Sequence, residues 1–385
     1  MTLSRYNPFY YSISYIKLLG LTLLYNELKQ LININSYTKN KSGVDAHGKL
    51  FGSWLVGLGM EEVLYERELI GHHRLYTSEH DKNAPSLLLL GHLDTVFPPD
   101  TFTHYSEDEE WVYGPGVCDM KGGNLVAFKA LQELKTIKNV DFLLVSDEET
   151  GSDDSKLLSK ELAENYDYCL VFEAAGPQME VVVGRKGVGT FWIDIKGKAA
   201  HAGNHYADGN DANLEAALKL QKLVALTDLS QNTTVNVGKI SGGIGANTIS
   251  PHSHLLFELR YDKREEKERV LAQIETIANT SYIEGTTATL NGDIQRDVMQ
   301  VSEESLNFVK VIEKITGTAL KSEKRGGVSD ANILSSQGVI TLDGFGPFGD
   351  GDHTEHERAL KSSFDSRIKL TKEVLEYFIE KKGFE

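Results

Sequence analysis

The run Ser86-Leu87-Leu88-Leu89-Leu90-Gly91-His92-Leu93-Asp94-Thr95-Val96 decides how the rest of the chain is read. Four consecutive leucines make a short, fully apolar segment of the kind buried on both faces of a parallel sheet. It passes directly into a histidine and an aspartate. Two similar runs follow. Asp141-Phe142-Leu143-Leu144-Val145 leads into Ser146-Asp147-Glu148-Glu149-Thr150-Gly151, and Tyr168-Cys169-Leu170-Val171-Phe172 leads into Glu173. Between the first two runs, Leu125, Val126, Phe128, Ala130, Leu131 and Leu134 recur at helical spacing over residues 124–134. Apolar strands alternating with helices predict an α/β fold with a largely parallel sheet. Ligand sites in open sheets of this kind form outside the carboxyl ends of the strands. The polar, acidic residues lie there.

From about Val183, alternation replaces continuous apolar runs. Residues 190–195, 233–238 and 254–260 alternate as half-exposed strands do, with helical stretches at 213–226 and 265–279 and a closing strand at 286–291. This strand-helix-strand-strand-helix-strand series predicts a small α+β, ferredoxin-like domain with helices on one face of an antiparallel sheet. Residues 310–385 then return to short strands and helices, including Gly338-Val339-Ile340-Thr341-Leu342. The expected organisation is a catalytic domain in two parts, 1–182 and 295–385, with 183–294 inserted between them.

At 385 residues the chain exceeds one ordinary compact core, in keeping with two domains. Its 56 acidic residues against 40 Lys and Arg give a formal charge of −16. That balance argues against nucleic acid as a partner, because phosphate binding relies on clustered basic side chains. An anionic small molecule stays open, since a bound cation reverses the local sign. Cys118 and Cys169 are the only cysteines, too few for a disulfide framework and compatible with a reducing, cytoplasmic compartment. Each is read as a small packing residue. Residues 10–25 are apolar and aromatic, but Lys17 interrupts them and no small-residue cleavage site follows. The apolar run also falls short of the roughly 20 residues that a membrane span needs. An amphipathic helix packed on the domain, or an over-long start, is the preferred reading, with secretion or a periplasmic location as the alternative. No membrane partner is expected.

The residues that carry chemistry are His92, Asp94, Asp119, Glu148, Glu149, Glu173 and His353. Oxygen donors mixed with imidazole suit zinc, manganese or cobalt, in contrast to thiolate-rich structural zinc sites. A pair of cations about 3.5–4 Å apart needs one carboxylate spanning both, plus terminal ligands for each. The candidates suffice, with one carboxylate left over as a base. In His92-x-Asp94 the two side chains share one face of an extended segment, so Asp94 can hold the imidazole in place. Singly these signals are weak. His-x-Asp is ordinarily a surface pair, Glu148-Glu149 a solvated acidic loop, and Glu173 a helix cap. Their common placement at strand ends sets those readings aside.

Five motifs carry a resemblance: residues 91–96, Gly114-Pro115-Gly116-Val117-Cys118-Asp119-Met120-Lys121-Gly122-Gly123, residues 146–152, Gly197-Lys198-Ala199-Ala200-His201-Ala202-Gly203, and Asp352-His353-Thr354-Glu355-His356-Glu357. The chain resembles the metallopeptidase superfamily of glutamate carboxypeptidase, acetylornithine deacetylase, succinyl-diaminopimelate desuccinylase and related dipeptidases. The resemblance runs from about Ile34 to the C-terminus with the motifs in family order, and Glu173 is similar to the glutamate carboxypeptidase branch. It implies a phosphorylase/hydrolase-like catalytic domain, an inserted dimerisation (lid) domain, and two divalent metal ions per chain, zinc foremost, with cobalt or manganese as alternatives. It further implies that His92 and Glu173 bind one metal, Glu149 and His353 the other, and that Asp119 bridges them, with Glu148 as general base.

Flanking alanines alone would leave His201 an ordinary core or surface histidine. The resemblance instead implies that it reaches the active site of the partner subunit in a homodimer and stabilises the tetrahedral oxyanion. Asn247 and Arg260 match implied substrate contacts, Arg260 by bidentate pairing with a carboxylate. Arg325, beside the loop 326–332, is a further candidate for that carboxylate. Ser250 and Glu258 depart from the family pattern, which weakens the substrate contacts and leaves the metal site untouched. The expected enzyme cleaves an amide or peptide bond beside a free carboxylate, as a carboxypeptidase or dipeptidase. A deacylase of N-acyl amino acids is the alternative. A catalytically inactive metal-binding scaffold would lack a ligand or the base, and none is missing.

Overall fold

The computed structural model describes residues 24–384. Apart from Leu24 and Tyr25, the apolar stretch 10–25 lies outside the described residues. Residues 24–32 are helical, and Leu24, Leu28, Leu31 and Ile32 form their buried stripe. The chain divides into two compact units. One comprises residues 24–181, Asn307–Ser322 and 340–384, and the other comprises Val182–Leu306 and Glu323–Val339.

The first unit is built on α1 (Lys41–Gly57), β1 (Glu61–Tyr65), β2 (His73–Thr77), β3 (Leu87–His92), α2 (Lys121–Gln132), β4 (Val140–Val145), α3 (Ser155–Ala163) and β5 (Tyr168–Val171). Its six-stranded sheet has the order β1-β2-β4-β3-β5, ending on the strand Ile340–Leu342. The last four strands in that order are parallel, and β1 and β2 join as an antiparallel pair on the β4 side. Leu87 to Leu90 are fully buried, as an all-apolar run in a sheet covered on both faces requires. Register decides where chemistry collects: His92 pairs with Val145, and Leu90 with Val171. The residues that follow β3, β4 and β5 therefore emerge along one edge.

Helix α2 begins at Lys121, three residues before the apolar periodicity indicates. The Lys121-Gly122-Gly123 sequence reads as a turn, but these glycines are needed for close packing. A Cβ at Gly122 would lie 2.0 Å from the Val117 carbonyl oxygen, and one at Gly123 would lie 1.9 Å from that of Phe172. Only glycine lets the helix start so close to the end of β5. Helix α2 also packs against the C-terminal helix Lys361–Lys381, with Gly122 next to Phe364. A small antiparallel sheet joins Gly349–Asp350, Arg358–Leu360, Trp111–Tyr113 and Ser106–Glu107, and His353 lies on the connection between its first two strands.

In the second unit, β6 (Gly187–Lys196), α4 (Ala212–Val224), β7 (Thr234–Gly242), β8 (His252–Tyr261), α5 (Arg264–Asn279) and β9 (Thr287–Arg296) follow the expected series. The sheet order is β7-β8-β6-β9, antiparallel throughout. Phe191, Ile193, Ile195, Leu255, Phe257 and Leu259 alternate onto the face that Ala216, Leu223, Val270 and Ile274 cover from the two helices. A buried Glu215–Lys219 pair (2.9 Å) secures the end of α5. Lys219 donates to the carbonyls of Ile277, Ala278 and Thr280, and Glu215 accepts from the Tyr282 and Ile283 amides. This unit runs past 294 and takes in 323–339. There Asn332 donates to the carbonyls of Lys186 and Asp297, and Arg185 to that of Gly327. Those bonds join residues far apart in sequence, which strand and helix periodicity does not register.

Candidate metal centre

All five candidate ligands lie in the first unit. His92 ends β3, Asp119 precedes α2, Glu149 lies four residues beyond β4, Glu173 two beyond β5, and His353 occupies a turn with φ +62°. They form two groups, His92–Asp119–Glu173 and Asp119–Glu149–His353, each with its donor atoms within 4.8 Å of one another. Asp119 belongs to both. Its Oδ1 lies 2.9 Å from His92 Nε2, and its Oδ2 lies 3.3 Å from His353 Nε2. Glu173 Oε1 completes the first group at 3.8 Å from His92 Nε2, and Glu149 Oε2 the second at 3.0 Å from His353 Nε2.

The electrostatics of these residues fit cations. Burial and the Asp119 charge push the Glu149 carboxyl up to about 8, and the same two causes raise Glu173 well above the usual carboxylate range. Burial opposes ionisation of Asp119 too, but bonds to His353 and His92 hold it well below the ordinary value. His353 rises to about 11 through its bonds to Asp119 and Glu149. Three carboxylates crowded on two imidazoles thus rely on borrowed protons for neutrality, which divalent cations in the same positions would supply. The mixed imidazole and oxygen donors suit zinc, manganese or cobalt.

Partners around the ligands fix their orientation. His92 Nδ1 donates to the Asp94 backbone carbonyl (3.0 Å), with Asp94 Oδ1 at 3.4 Å, which turns Nε2 toward Asp119 and leaves it as the nitrogen that could meet a cation. The sequence pointed to the Asp94 carboxylate for this role, yet the main-chain oxygen is nearer. Asp94 Oδ2 accepts from the Thr38 hydroxyl (2.7 Å) and the Glu149 amide (3.2 Å), tying β3 to the Glu148–Glu149 turn. That turn, Glu148–Thr150, is 3₁₀ rather than extended. Glu148 is buried, belongs to neither donor group, and its charge contributes to raising both Glu149 and Glu173. It therefore lies beside both groups.

Asn124 and Glu357 were assigned no role from sequence. Asn124 Nδ2 donates to the His92 carbonyl at 2.7 Å. The carboxylate of Glu357, a residue inside the last motif, accepts from three backbone amides of the Asp119 loop. Main-chain partners of this kind leave no mark in side-chain spacing.

His201, Asn247, Arg260 and Arg325 all lie in the second unit. The Ala202 amide donates to the Asn247 carbonyl (2.9 Å), so His201 and Asn247 share one platform. His201 is exposed, and its Nδ1 faces the amides of Gly203 and Asn204, each at 3.2 Å. An imidazole that accepts at Nδ1 carries its proton on Nε2 and presents a donor outward. Arg260 forks onto Glu258 through Nε (2.6 Å) and a terminal nitrogen (3.2 Å), and donates to the Gly326 carbonyl. Arg325 pairs with Glu323.

Two donor groups sharing an aspartate, with a further buried glutamate beside them, are the arrangement expected of a metal-dependent hydrolase. The chain belongs to peptidase family M20/M25/M40, whose family model matches residues 88–377, and its members hydrolyse amide or peptide bonds. It is 27% identical over 342 residues to carboxypeptidase G2 of Pseudomonas sp. (strain RS-16), covering 85% of this chain and 82% of that one. To succinyl-diaminopimelate desuccinylase of Xylella fastidiosa (strain 9a5c) it is 25% identical over 314 residues, covering 74% and 82%. Among solved structures it shares its fold with aminopeptidase PepT of Bacillus cereus, with a TM-score of 0.78 at 21% identity over 92% of this chain and 98% of that one. Bacillus subtilis YxeP, described as a dinuclear metal-binding peptidase of the M20 family, gives 0.68 at 16% identity over 94% and 98%. No helix among the described residues is long and apolar enough to cross a membrane.

Proposed function

We propose that the protein cleaves an amide or peptide bond adjacent to a free carboxylate, as a carboxypeptidase or dipeptidase. The observation that carries this reading is the orientation of Asp119, whose two oxygens face separate imidazole–carboxylate groups. His92 and Glu173 would hold one divalent cation, Glu149 and His353 the other, and Asp119 both, with zinc the preferred ion and cobalt or manganese able to replace it. Such a pair would supply Lewis acidity to the scissile carbonyl and to the attacking water. Glu148, outside both ligand groups, takes the proton from that water and delivers it to the leaving nitrogen. His201 offers its Nε2 proton to the oxyanion that develops on the former carbonyl, in the centre of a second copy of the chain. Asn247, Arg260 and Arg325 are the proposed contacts for the substrate, with the arginines meeting its free carboxylate.

A second reading, deacylation of N-acyl amino acids, is favoured by the likeness to a desuccinylase. One experiment separates the two. Chelated protein is supplied with zinc, manganese or cobalt and offered dipeptides, C-terminal glutamate amides and N-acyl amino acids. Metal-restored cleavage of the peptides supports the first reading, and preference for acyl amino acids the second. Two ions bound with no turnover of any substrate would leave a metal-binding scaffold.

A further inference from the structure

Glu357 is wholly buried, and its carboxylate is turned toward main chain. Oε2 accepts from the Gly116 amide (2.9 Å), and Oε1 from those of Cys118 (3.0 Å) and Asp119 (3.1 Å). Its own carbonyl accepts from the Gly114 amide at 3.3 Å. These bonds hold the segment that ends in the bridging aspartate. Glu357 is also part of the turn that presents His353, through a bond from its amide to the Thr354 carbonyl (3.2 Å). A further tie runs from the Cys118 thiol to Asp352 Oδ1 (3.0 Å), next to His353. Gly116, at φ +82°, shapes the loop so that its amides gather on one carboxylate, as in concave anion-binding nests. Hydrogen bonds buried in this way are screened less than in water, so three amides on one carboxyl group hold the loop firmly.

The Asp119 side chain is held by His92 and His353, the same imidazoles that would turn to the cations, so a loop anchored through its main chain does not depend on what occupies the centre. We propose that Glu357 is a positioning residue that sets Asp119 and the His353 turn in their metal-binding arrangement before any cation binds. The proposal rests on the dinuclear reading above. An arrangement formed in advance raises affinity because less order is lost on binding.

Two measurements test it. In metal-free protein, the amides of Gly116, Cys118 and Asp119 are expected to exchange hydrogen as slowly as those of β3. The variants Glu357→Gln and Glu355→Gln make the same substitution in the same turn, but Glu355 is exposed. Glutamine at 357 keeps one acceptor and sets an NH2 against a backbone N–H. Glu357→Gln should weaken both ions about 10–100-fold and alter the visible spectrum of the cobalt-loaded protein, and Glu355→Gln should do neither. Fast exchange of the three amides that slows only on adding zinc would overturn the proposal, as would unchanged affinities in folded Glu357→Gln. If that variant fails to fold, the exchange measurement on the native chain decides. A native chain that takes up fewer than two ions would overturn the dinuclear reading and this inference with it.

Discussion

Glu148 and Glu149 are neighbours on one 3₁₀ turn with different proposed roles. Glu149 is held within 3.0 Å of His353, whereas Glu148 stands outside both donor groups. Replacing Glu148 with glutamine should lower kcat by about 10²–10⁴-fold while two ions remain bound, as measured by turnover and metal analysis on the same sample. Glu149→Gln should instead release the ion on the His353 side. His201→Ala should lower kcat by about 10²–10³-fold with little change in KM, because its proposed bond forms only as the oxyanion develops. Equal loss in both constants would remove it from that role. The candidate ligands could be picked out in the sequence because His92, Glu149 and Glu173 lie at or just beyond the ends of apolar strands, and Asp119 and His353 in turn-rich motifs. Glu357 was not, because its partners are backbone amides, and no residue type announces an amide.

At the level of elements, α2 and β3 place the centre. Leu89 is fully buried in the middle of β3, and Leu89→Ala should cost about 2–5 kcal/mol in equilibrium unfolding. The four-leucine run made this strand readable, just as alternation made β6 to β9 readable. The early start of α2 was hidden, since Lys121-Gly122-Gly123 signals a turn unless one knows that the Phe172 carbonyl lies against Gly123. In the second unit, Asp297 joins α5 to β8 through Lys267 (2.5 Å) and the Tyr261 hydroxyl (2.8 Å). Burial works against its charge, but these partners more than offset that and keep its pKa below the ordinary 3.8. A lowered carboxyl favours the folded state above its unfolded pKa and loses that contribution as acid protonates it. Acid titration of stability should therefore show a fall below about pH 4 that is reduced in Asp297→Asn.

Over the whole molecule, two units share one chain that passes between them more than once, and the expected closure at 294 missed the second excursion, 323–339. Long-range bonds such as those of Asn332 define that boundary. Every candidate ligand lies in the first unit, so chelation should lower its thermal stability, and zinc at a thousand times its dissociation constant should restore about 4 kcal/mol. The two imidazoles of the centre differ in access: the His92 side chain is 1% exposed and that of His353 57%. That asymmetry makes the pair unequal in lability. The ion on the His353 side should trade with bulk solution in a fast phase and the other in a slow one, so a scarce supply would leave a half-filled population whose turnover follows occupancy of the open side. Isotope exchange that proceeds in a single phase would contradict this.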